Sequence, residues 1–254
     1  HLGTTAANDT FTTFVESGAF GKMCYNSFVT APFWQTGPNG EVEPFLVADW
    51  TVSEDSTTIT CDLALDQGIT WHDGEPLTMD DVLFTFDYNI NVRKSSYGSY
   101  VDHAEQVDED TIKVVLKEPG AYQWLKLVAG YFYVQPKHIW ENIGAPKDYR
   151  GEDAVIGCGP YRFVSLDEDA QTSYYEAVSD TYLGREVTVK KVSLRSFDSN
   201  DALVMALRNG EIDAMYSYAS PIPATMASSI TGVEHVEPGM SDNTGSYMIM
   251  FGFR

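Results

Sequence analysis

Residues 71–86 of the chain read WHDGEPLTMDDVLFTF, and this run joins a turn, a helix start and an amphipathic helix. Asp73-Gly74 is a turn dipeptide in which the glycine can take a positive φ. Thr78 can cap a helix whose first turn carries two acidic residues near the positive end of the helix dipole, Asp80 and Asp81. Three apolar residues then recur at the spacing of one buried helix face, Val82, Leu83 and Phe86. The run predicts a strand, a tight turn and a capped helix over residues 79–91.

Alternating polar and apolar residues predict strands on both sides of this run. Residues 57–65 alternate before it and residues 111–116 alternate after it, as half-buried strands should. Residues 22–30 are also strand-like, and the turn tripeptide at residues 38–40 precedes Val42. The sequence further predicts a short helix over residues 122–129 that buries two side chains, Trp124 and Leu125.

A breakpoint lies at residues 157–160, where two glycines and a proline interrupt the alternating pattern. Backbone freedom of this kind suits a domain boundary or a hinge. Downstream, we predict strands over residues 161–165, 188–197 and 212–216, and a helix after the capping residues 198–201 that ends at Asn209-Gly210. This β, α, β order fits a crossover unit with a parallel pair of strands. A further helix is predicted over residues 221–230 and a last strand over residues 247–253.

Composition limits the class of protein. The 254 residues include 16 Lys and Arg against 37 Asp and Glu, a formal charge of -21, so long-range repulsion opposes nucleic-acid binding. Salt adaptation is an open explanation of this excess. No run approaches the roughly 18 to 20 apolar residues that span a bilayer. If the protein works outside the membrane, we expect its export signal or lipid anchor to lie before residue 1.

The chain offers no constellation of residues for metal binding or catalysis. Its three cysteines, Cys24, Cys61 and Cys158, include no C-x-x-C, which argues against a zinc cluster. A bridge between Cys24 and Cys61 and buried free thiols are both open interpretations. The histidines lack ligand-like spacing, and His72-Asp73 is a structural turn rather than a catalytic pair. No nucleophile elbow, P-loop or dinucleotide fingerprint occurs, so we predict no enzyme, no metal and no cofactor.

Five runs, in order along the chain, have sequence patterns that are similar to those of one protein family. Residues 71–86 match the pattern F-x-D-G-x-P-x-T-x-x-D-V-x-x-[ST]-F, and residues 40–50 are similar to G-x-x-x-P-x-L-A-x-x-W. The other three are residues 157–163 (GCGPYRF), 209–214 (NGEIDA) and 247–254 (YMIMFGFR), with Cys158 and Gly252 departing from the usual threonine and asparagine. Together they resemble the extracellular solute-binding proteins of family 5, which serve peptide and nickel ABC importers.

The resemblance implies an α/β fold of the periplasmic-binding-protein-like type II class, with two lobes that close around a cleft. Residues 1–25 and 157–254 would form the main α/β subdomain of the N-terminal lobe, a mixed β-sheet with flanking helices. Residues 26–156 would form a smaller, β-rich inserted subdomain. By the same resemblance, we expect the C-terminal lobe, which normally follows the strand at residues 247–254, to be absent from these residues. We therefore expect the chain to bind ligand weakly by itself and to self-associate through exposed apolar residues, Met248, Met250 and Phe251.

Three loops are expected to line the ligand cleft. By order of the matching runs, the first loop contains Val15, Glu16, Ser17 and Gly18. The second follows a predicted strand at its carboxyl end, where open α/β sheets bind ligands, and contains Tyr216, Ser217 and Tyr218. The third contains Thr244, Gly245, Ser246 and Tyr247. For each tyrosine a half-buried core position is the alternative, and weaker candidates are the loop at Trp34 and residues 97–100.

The resemblance implies the substrate-binding component of an ABC importer, with no catalysis of its own. We expect a peptide as the substrate, with nickel complexes, oligosaccharides and other small solutes as open alternatives. The expected partners are ABC permease subunits in the membrane. The expected location is extracytoplasmic, either in the periplasm or lipid-anchored on the outer face of the cytoplasmic membrane. A cell-surface sensory or adhesion module with the same fold is the alternative function, and a hydrolase is the third.

Overall fold

The computed structural model of the chain describes residues 1–5, 28–37, 39–216, 222–223, 226, 230, 234–236 and 249–251, and for residues 216, 234–236 and 249–251 it describes the backbone only. The strands in this part of the chain are β1 (Leu2–Thr4), β2 (Trp34–Thr36), β3 (Val42–Pro44), β4 (Val47–Val52), β5 (Thr58–Leu63), β6 (Val101–Gln106), β7 (Thr111–Leu116), β8 (Tyr161–Asp167), β9 (Thr172–Ala177), β10 (Thr181–Tyr182), β11 (Arg185–Glu186), β12 (Lys191–Ser196), β13 (Ala214–Tyr216), β14 (Glu234–Val236) and β15 (Ile249–Phe251). The helices are α1 (Met79–Asp87), α2 (Ala121–Val128), α3 (Lys137–Trp140) and α4 (Asn200–Asn209).

A seven-stranded mixed sheet has the strand order β14-β15-β13-β1-β12-β9-β8. The predicted crossover unit is present as β12, α4 and β13, but its two strands do not pair with each other. The strand β1 lies between them and pairs in parallel with both. The remaining pairs of this sheet are antiparallel.

A four-stranded antiparallel sheet has the order β4-β5-β7-β6. Its inner face is apolar because β5 and β7 alternate, and it carries Ile59, Cys61, Leu63, Ile112, Val114 and Leu116, all buried. Helices α1 and α2 contribute Val82, Phe86, Trp124 and Leu125 to the same core. Aromatic rings tie these parts together, since the Phe33 ring lies 5.3 Å from that of Phe86 and 5.3 Å from that of Phe132.

The turn and the capped helix of residues 71–86 form as predicted, but the strand predicted before the turn is wrong, since Thr70 makes only an isolated bridge with Pro76. Gly74 has a φ of 100°, and Thr78 is the N-cap of α1. The cap works through Asp81, whose Oδ2 accepts hydrogen bonds from the Thr78 backbone N–H and from its hydroxyl, both at 2.9 Å. After Asp87 the chain continues into a π-helical turn, Tyr88–Val92, so the helical stretch reaches the predicted end.

The two glycines of the segment 157–160 are required for close packing. A Cβ on Gly157 would lie 2.0 Å from the Val29 carbonyl oxygen, and one on Gly159 would lie 2.6 Å from that of Phe28. Neither glycine has a positive φ, so backbone freedom is not the reason for these residues. The Gly159 N–H donates to the Val29 oxygen at 2.8 Å, and the His72 N–H donates to the Gly157 oxygen at 2.9 Å. This segment is therefore held between residues 28–30 and the turn at residue 73.

Several sequence predictions need correction. Residues 28–30 form a helical turn and a bend rather than the end of a strand, and residues 22–27 lie outside the described residues. The strand predicted from residue 57 ends at Leu63 because Ala64–Gln67 form a 3-10 turn, and β12 begins at Lys191 rather than at residue 188. Most of the helix predicted at residues 221–230 lies outside the described part of the chain.

Two cysteines in the described residues are free and buried, Cys61 and Cys158. Cys61 is therefore not bridged to Cys24, which itself lies outside the described residues. Burial raises the pKa of both thiols well above the ordinary value, and the Asp62 carboxylate adds to this rise at Cys61. Both side chains act as small apolar groups in the core.

Candidate functional site

The carboxyl ends of three parallel strands meet at one edge of the seven-stranded sheet. In the register of β1 with its two neighbours, Thr4 lies opposite Ser196 of β12 and Tyr216 of β13. The chain leaves this edge at Thr5 and at Phe197, whose N–H donates to the Thr4 carbonyl at 2.7 Å. Open α/β sheets bind their ligands outside the carboxyl ends of parallel strands. We call this place the strand-end site.

Thr5 carries a hydroxyl that the described residues do not satisfy. Its Oγ1 is buried, and no hydrogen-bond partner for it exists among the described residues. A buried hydroxyl without a partner is costly, so such a group is usually paired. Thr5 directly follows β1, so this hydroxyl lies at the end of a central strand.

Helix α4 begins at the same edge because only residues 197–199 separate it from β12. Its N-cap, Ser199, accepts a hydrogen bond from the Ala202 N–H at 3.2 Å. The positive end of the helix dipole favours negative charge at this place. The helix packs tightly on β1 because Gly3 has no side chain, and a Cβ there would lie 2.6 Å from Leu203 Cδ1 and 2.5 Å from Ile212 Cδ1.

Most of the predicted binding residues lie outside the described part of the chain. The backbone of Tyr216 ends β13 at the strand-end site, as the order of elements predicts. The residues outside the description are Val15, Glu16, Ser17, Gly18, Ser217, Tyr218, Thr244, Gly245, Ser246 and Tyr247. Sequence reasoning missed Thr5 because β1 is only three residues long, and no alternation can be recognised in so short a strand.

Of the two weaker candidates, Trp34 and Tyr97 pack in the core around the four-stranded sheet, whereas Tyr100 lies at the surface. Trp34 is fully buried, and its ring lies 5.7 Å from that of Trp124. The Trp124 indole N–H donates to the Tyr97 carbonyl at 3.1 Å. Tyr100 is 54% exposed and follows directly in the turn before β6. These contacts give the tryptophans and the Tyr97 backbone a structural role.

The described histidines take structural contacts. His138 Nε2 lies 2.8 Å from Asp73 Oδ2, and His103 Nδ1 lies 2.8 Å from Asp102 Oδ2. Burial lowers the pKa of His72, so its imidazole is neutral near pH 7. Its Nε2 lies 3.0 Å from the Gly159 carbonyl oxygen and must donate, since a carbonyl only accepts. In the part of the chain that the structure describes, no three side chains of His, Cys, Asp or Glu cluster as a metal site would require.

The described helices are short, and α4 has ten residues. Among the described residues, none has the combination of length and apolar character that a bilayer-spanning helix needs.

Comparison with known proteins identifies the relatives of this chain. The sequence profile of the bacterial extracellular solute-binding proteins, family 5 Middle, matches residues 41–253. "Probable peptide-binding protein YejA" of Agrobacterium fabrum is 29% identical over 163 residues, which are 59% of this chain and 26% of that protein. "Dipeptide-binding protein DppE" of Bacillus subtilis is 24% identical over 237 residues, which are 85% of this chain and 41% of that protein.

A solved structure agrees with these relatives. The crystal structure of the ABC transporter substrate-binding protein CtaP from Listeria monocytogenes superposes with a TM-score of 0.75 at 27% identity. The match covers 92% of this chain and 47% of CtaP, so the chain spans less than half the length of each of these relatives. The mixed α/β fold is thus of the type II periplasmic-binding-protein class. The chain belongs to the bacterial extracellular solute-binding proteins of family 5, a family of substrate-binding proteins rather than enzymes.

Proposed function

We propose that this chain is the ligand-capturing part of the substrate-binding component of an ABC importer, and that its substrate is a peptide. The observation that carries the proposal is the strand-end site, where three parallel strands end beside a helix N-terminus and the Thr5 hydroxyl is buried without a described partner. Membership of family 5 and the names of YejA and DppE support peptide as the substrate class.

The chemistry of this site suits binding rather than turnover. The first turn of α4 already carries Asp201, so the group that this site offers a ligand is the Thr5 hydroxyl, which adds one directional hydrogen bond. We further propose that Val15, Glu16, Ser17, Gly18, Tyr216, Ser217, Tyr218, Thr244, Gly245, Ser246 and Tyr247 line the same cleft. Tyrosine rings would supply contact area and the small polar groups hydrogen bonds. Binding of a peptide at this site needs no covalent bond to form or break, and we propose that the chain has no catalysis of its own.

We also propose two subdomains, residues 1–25 with 157–254 and residues 26–156. The support is that the seven-stranded sheet draws its strands from residues 2–4 and from residues after 160, while the four-stranded sheet lies between residues 47 and 116. Two sheets with separate cores can move as units about a short junction.

The remaining proposals concern the partners and the location. The partners are a peptide and the permease subunits of an ABC importer, supported by the description of CtaP as an ABC transporter substrate-binding protein. The location is extracytoplasmic, supported by the family description, with a lipid anchor or free diffusion in the periplasm. Self-association through Met248, Met250 and Phe251 is a further proposal, which sedimentation of the purified chain would test.

The test of the function combines transport and binding. Deletion of the gene should abolish uptake of labelled di- to pentapeptides, and complementation should restore it. In the intact protein, Thr5→Val should weaken peptide binding about fivefold to tenfold, the loss of one hydrogen bond, in calorimetric titrations. The control is Thr51→Val, an exposed threonine of β4, which should leave the affinity unchanged. Unaffected uptake in the deletion strain, or equal affinities of the two variants, would contradict the proposal.

A further inference from the structure

A groove of about 540 Å³ lies between the four-stranded sheet and the β10–β11 hairpin. Its floor is aromatic, since the rings of Phe45 and Tyr182 lie 6.0 Å apart at an interplanar angle of 38°. Leu183 and Leu63 add apolar surface to the same lining. We call it the Phe45 groove. Its volume falls in the range of small-molecule sites, roughly 300 to 1,000 Å³.

The floor of the Phe45 groove is held in place before any ligand arrives. The Tyr182 hydroxyl donates to the Cys158 carbonyl at 2.6 Å, which fixes the ring. Leu183 has a φ of 48° and the next residue, Gly184, a φ of 71°, so the β10–β11 turn is left-handed at both positions. A two-residue hairpin turn of this kind has a positive φ at both central residues, because that twist matches the twist of the two strands. The turn places Leu183 in the lining of the groove.

The rim of the Phe45 groove is acidic. Asp62, Asp66 and Asp110 line it and are exposed, and none of them forms an ion pair with a described residue. Asp62 and Asp110 share the Thr111 hydroxyl, which lies 3.3 Å from one carboxylate and 3.5 Å from the other. The only cation in the lining is Arg185, so the lining carries a formal charge of −2. A negative rim around an apolar floor attracts cations and repels anions.

We propose that the Phe45 groove binds a small organic cation with an apolar body. The ammonium or guanidinium group meets the aspartates, and the body lies on the rings of Phe45 and Tyr182. Ring stacking and cation–π attraction both favour such a molecule. The groove shares no residue with the strand-end site, so the proposal does not depend on the proposed function.

The test uses a pair of probes that share their shape and differ in charge. The probe 2-phenylethylammonium should bind the purified chain with a Kd of about 1 mM in NMR titrations, as expected of a small ligand. Its anionic counterpart, 3-phenylpropionate, should bind at least fivefold more weakly. Added salt should weaken the binding of the ammonium probe because the rim lies in solvent.

Matched variants assign the site. Asp66→Asn should weaken the binding of 2-phenylethylammonium about twofold to fivefold, which is the effect of one exposed charge. Asp169→Asn in the β8–β9 turn should leave the Kd unchanged. Arg185→Gln should strengthen the binding of 2-phenylethylammonium by a similar factor, because it removes a positive charge from the lining. Phe45→Leu should weaken the binding of 2-phenylethylammonium more than that of butylammonium, because only the first has a ring that can stack on Phe45.

Three results would overturn the proposal. The first is equal affinity for the cationic and anionic probes, and the second is equal affinity of the two aspartate variants. The third is no shift of any resonance at about 10 mM probe, which sets the Kd beyond the range of a specific site. Because residues 66 and 169 are both exposed, these substitutions should leave the fold intact, and a thermal melt of each variant checks this.

Discussion

Replacement of Asp81 by asparagine should destabilise the chain far more than the same change one residue earlier. The Asp81 residue is 5% exposed, and its carboxylate joins three separate segments. Its Oδ2 accepts from the Thr78 N–H and hydroxyl at 2.9 Å and from the Trp71 indole N–H at 3.4 Å. Its Oδ1 accepts from the Lys137 backbone N–H at 2.8 Å. An aspartate only accepts, and every neighbour here is a donor.

The size of the effect follows from these contacts. An asparagine has the same shape but must direct an NH2 group at one of the two sets of donors. In the less harmful orientation it faces the Lys137 N–H, which then loses its acceptor. One hydrogen bond to a charged group is worth about 1.5 to 3 kcal/mol, and the lost charge near the start of α1 adds about 0.3 to 1 kcal/mol. We expect D81N to lose about 3 kcal/mol of unfolding free energy.

The control is D80N, in the same first turn of α1. The Asp80 side chain is 74% exposed, and its ion pair with Lys137 spans 3.0 Å. An exposed pair contributes about 0.2 to 1 kcal/mol, so D80N should differ little from the unmodified chain. Urea denaturation followed by tryptophan fluorescence measures both variants, because Trp71, Trp124 and Trp140 are buried. If D81N and D80N fall within about 1 kcal/mol of each other, the buried carboxylate does not organise this region.

Two further predictions concern the junction at residues 157–159. Burial lowers the pKa of His72 in the folded chain, so the unfolded chain binds the extra proton and stability falls as the pH drops below about 6.5. His72→Gln should therefore flatten the decrease in Tm between about pH 7.5 and pH 5, and a decrease as steep as that of the unmodified chain would refute this. Gly157→Ala places a Cβ 2.0 Å from the Val29 carbonyl oxygen and should lower the free energy of unfolding by about 3 kcal/mol in urea denaturation. Gly144→Ala, whose Cβ would have nothing within 4 Å, should lower it by under about 1 kcal/mol. Similar losses in both variants would contradict the packing argument.

Elements with strong local signals could be predicted from the sequence. The strand β7 begins and ends where its alternation predicts, and α4 ends at Asn209 before Gly210, which has a φ of 72°. Strands β4, β6 and β9 are among those that gave no usable signal. Strand β6 reads VDHAEQ and is largely exposed, so no alternation of apolar residues marks it. Its pairing with β7 supplies the order that its own sequence lacks.

The candidate site was predictable only at one strand. The position of Tyr216 follows from the rule that ligands meet the carboxyl ends of parallel strands, and that rule needs only the β, α, β order. Thr5 and the N-terminus of α4 could not be assigned in this way. Their meeting depends on β1, whose partners lie about 190 and 210 residues later in the chain. Such long-range pairing leaves no local pattern.

The sequence by itself determined the family and the capped helix α1, because both depend on runs of residues that lie close together in the chain. Only the tertiary structure placed β1 between β12 and β13, brought the Lys137 backbone N–H to Asp81 and brought Phe45 beside Tyr182. It also showed that Gly157 is required by the close approach of Val29. The physical reason is the same in every case. Hydrogen-bond partners and packing contacts across more than fifty residues depend on how the sheets assemble, which local propensity does not encode.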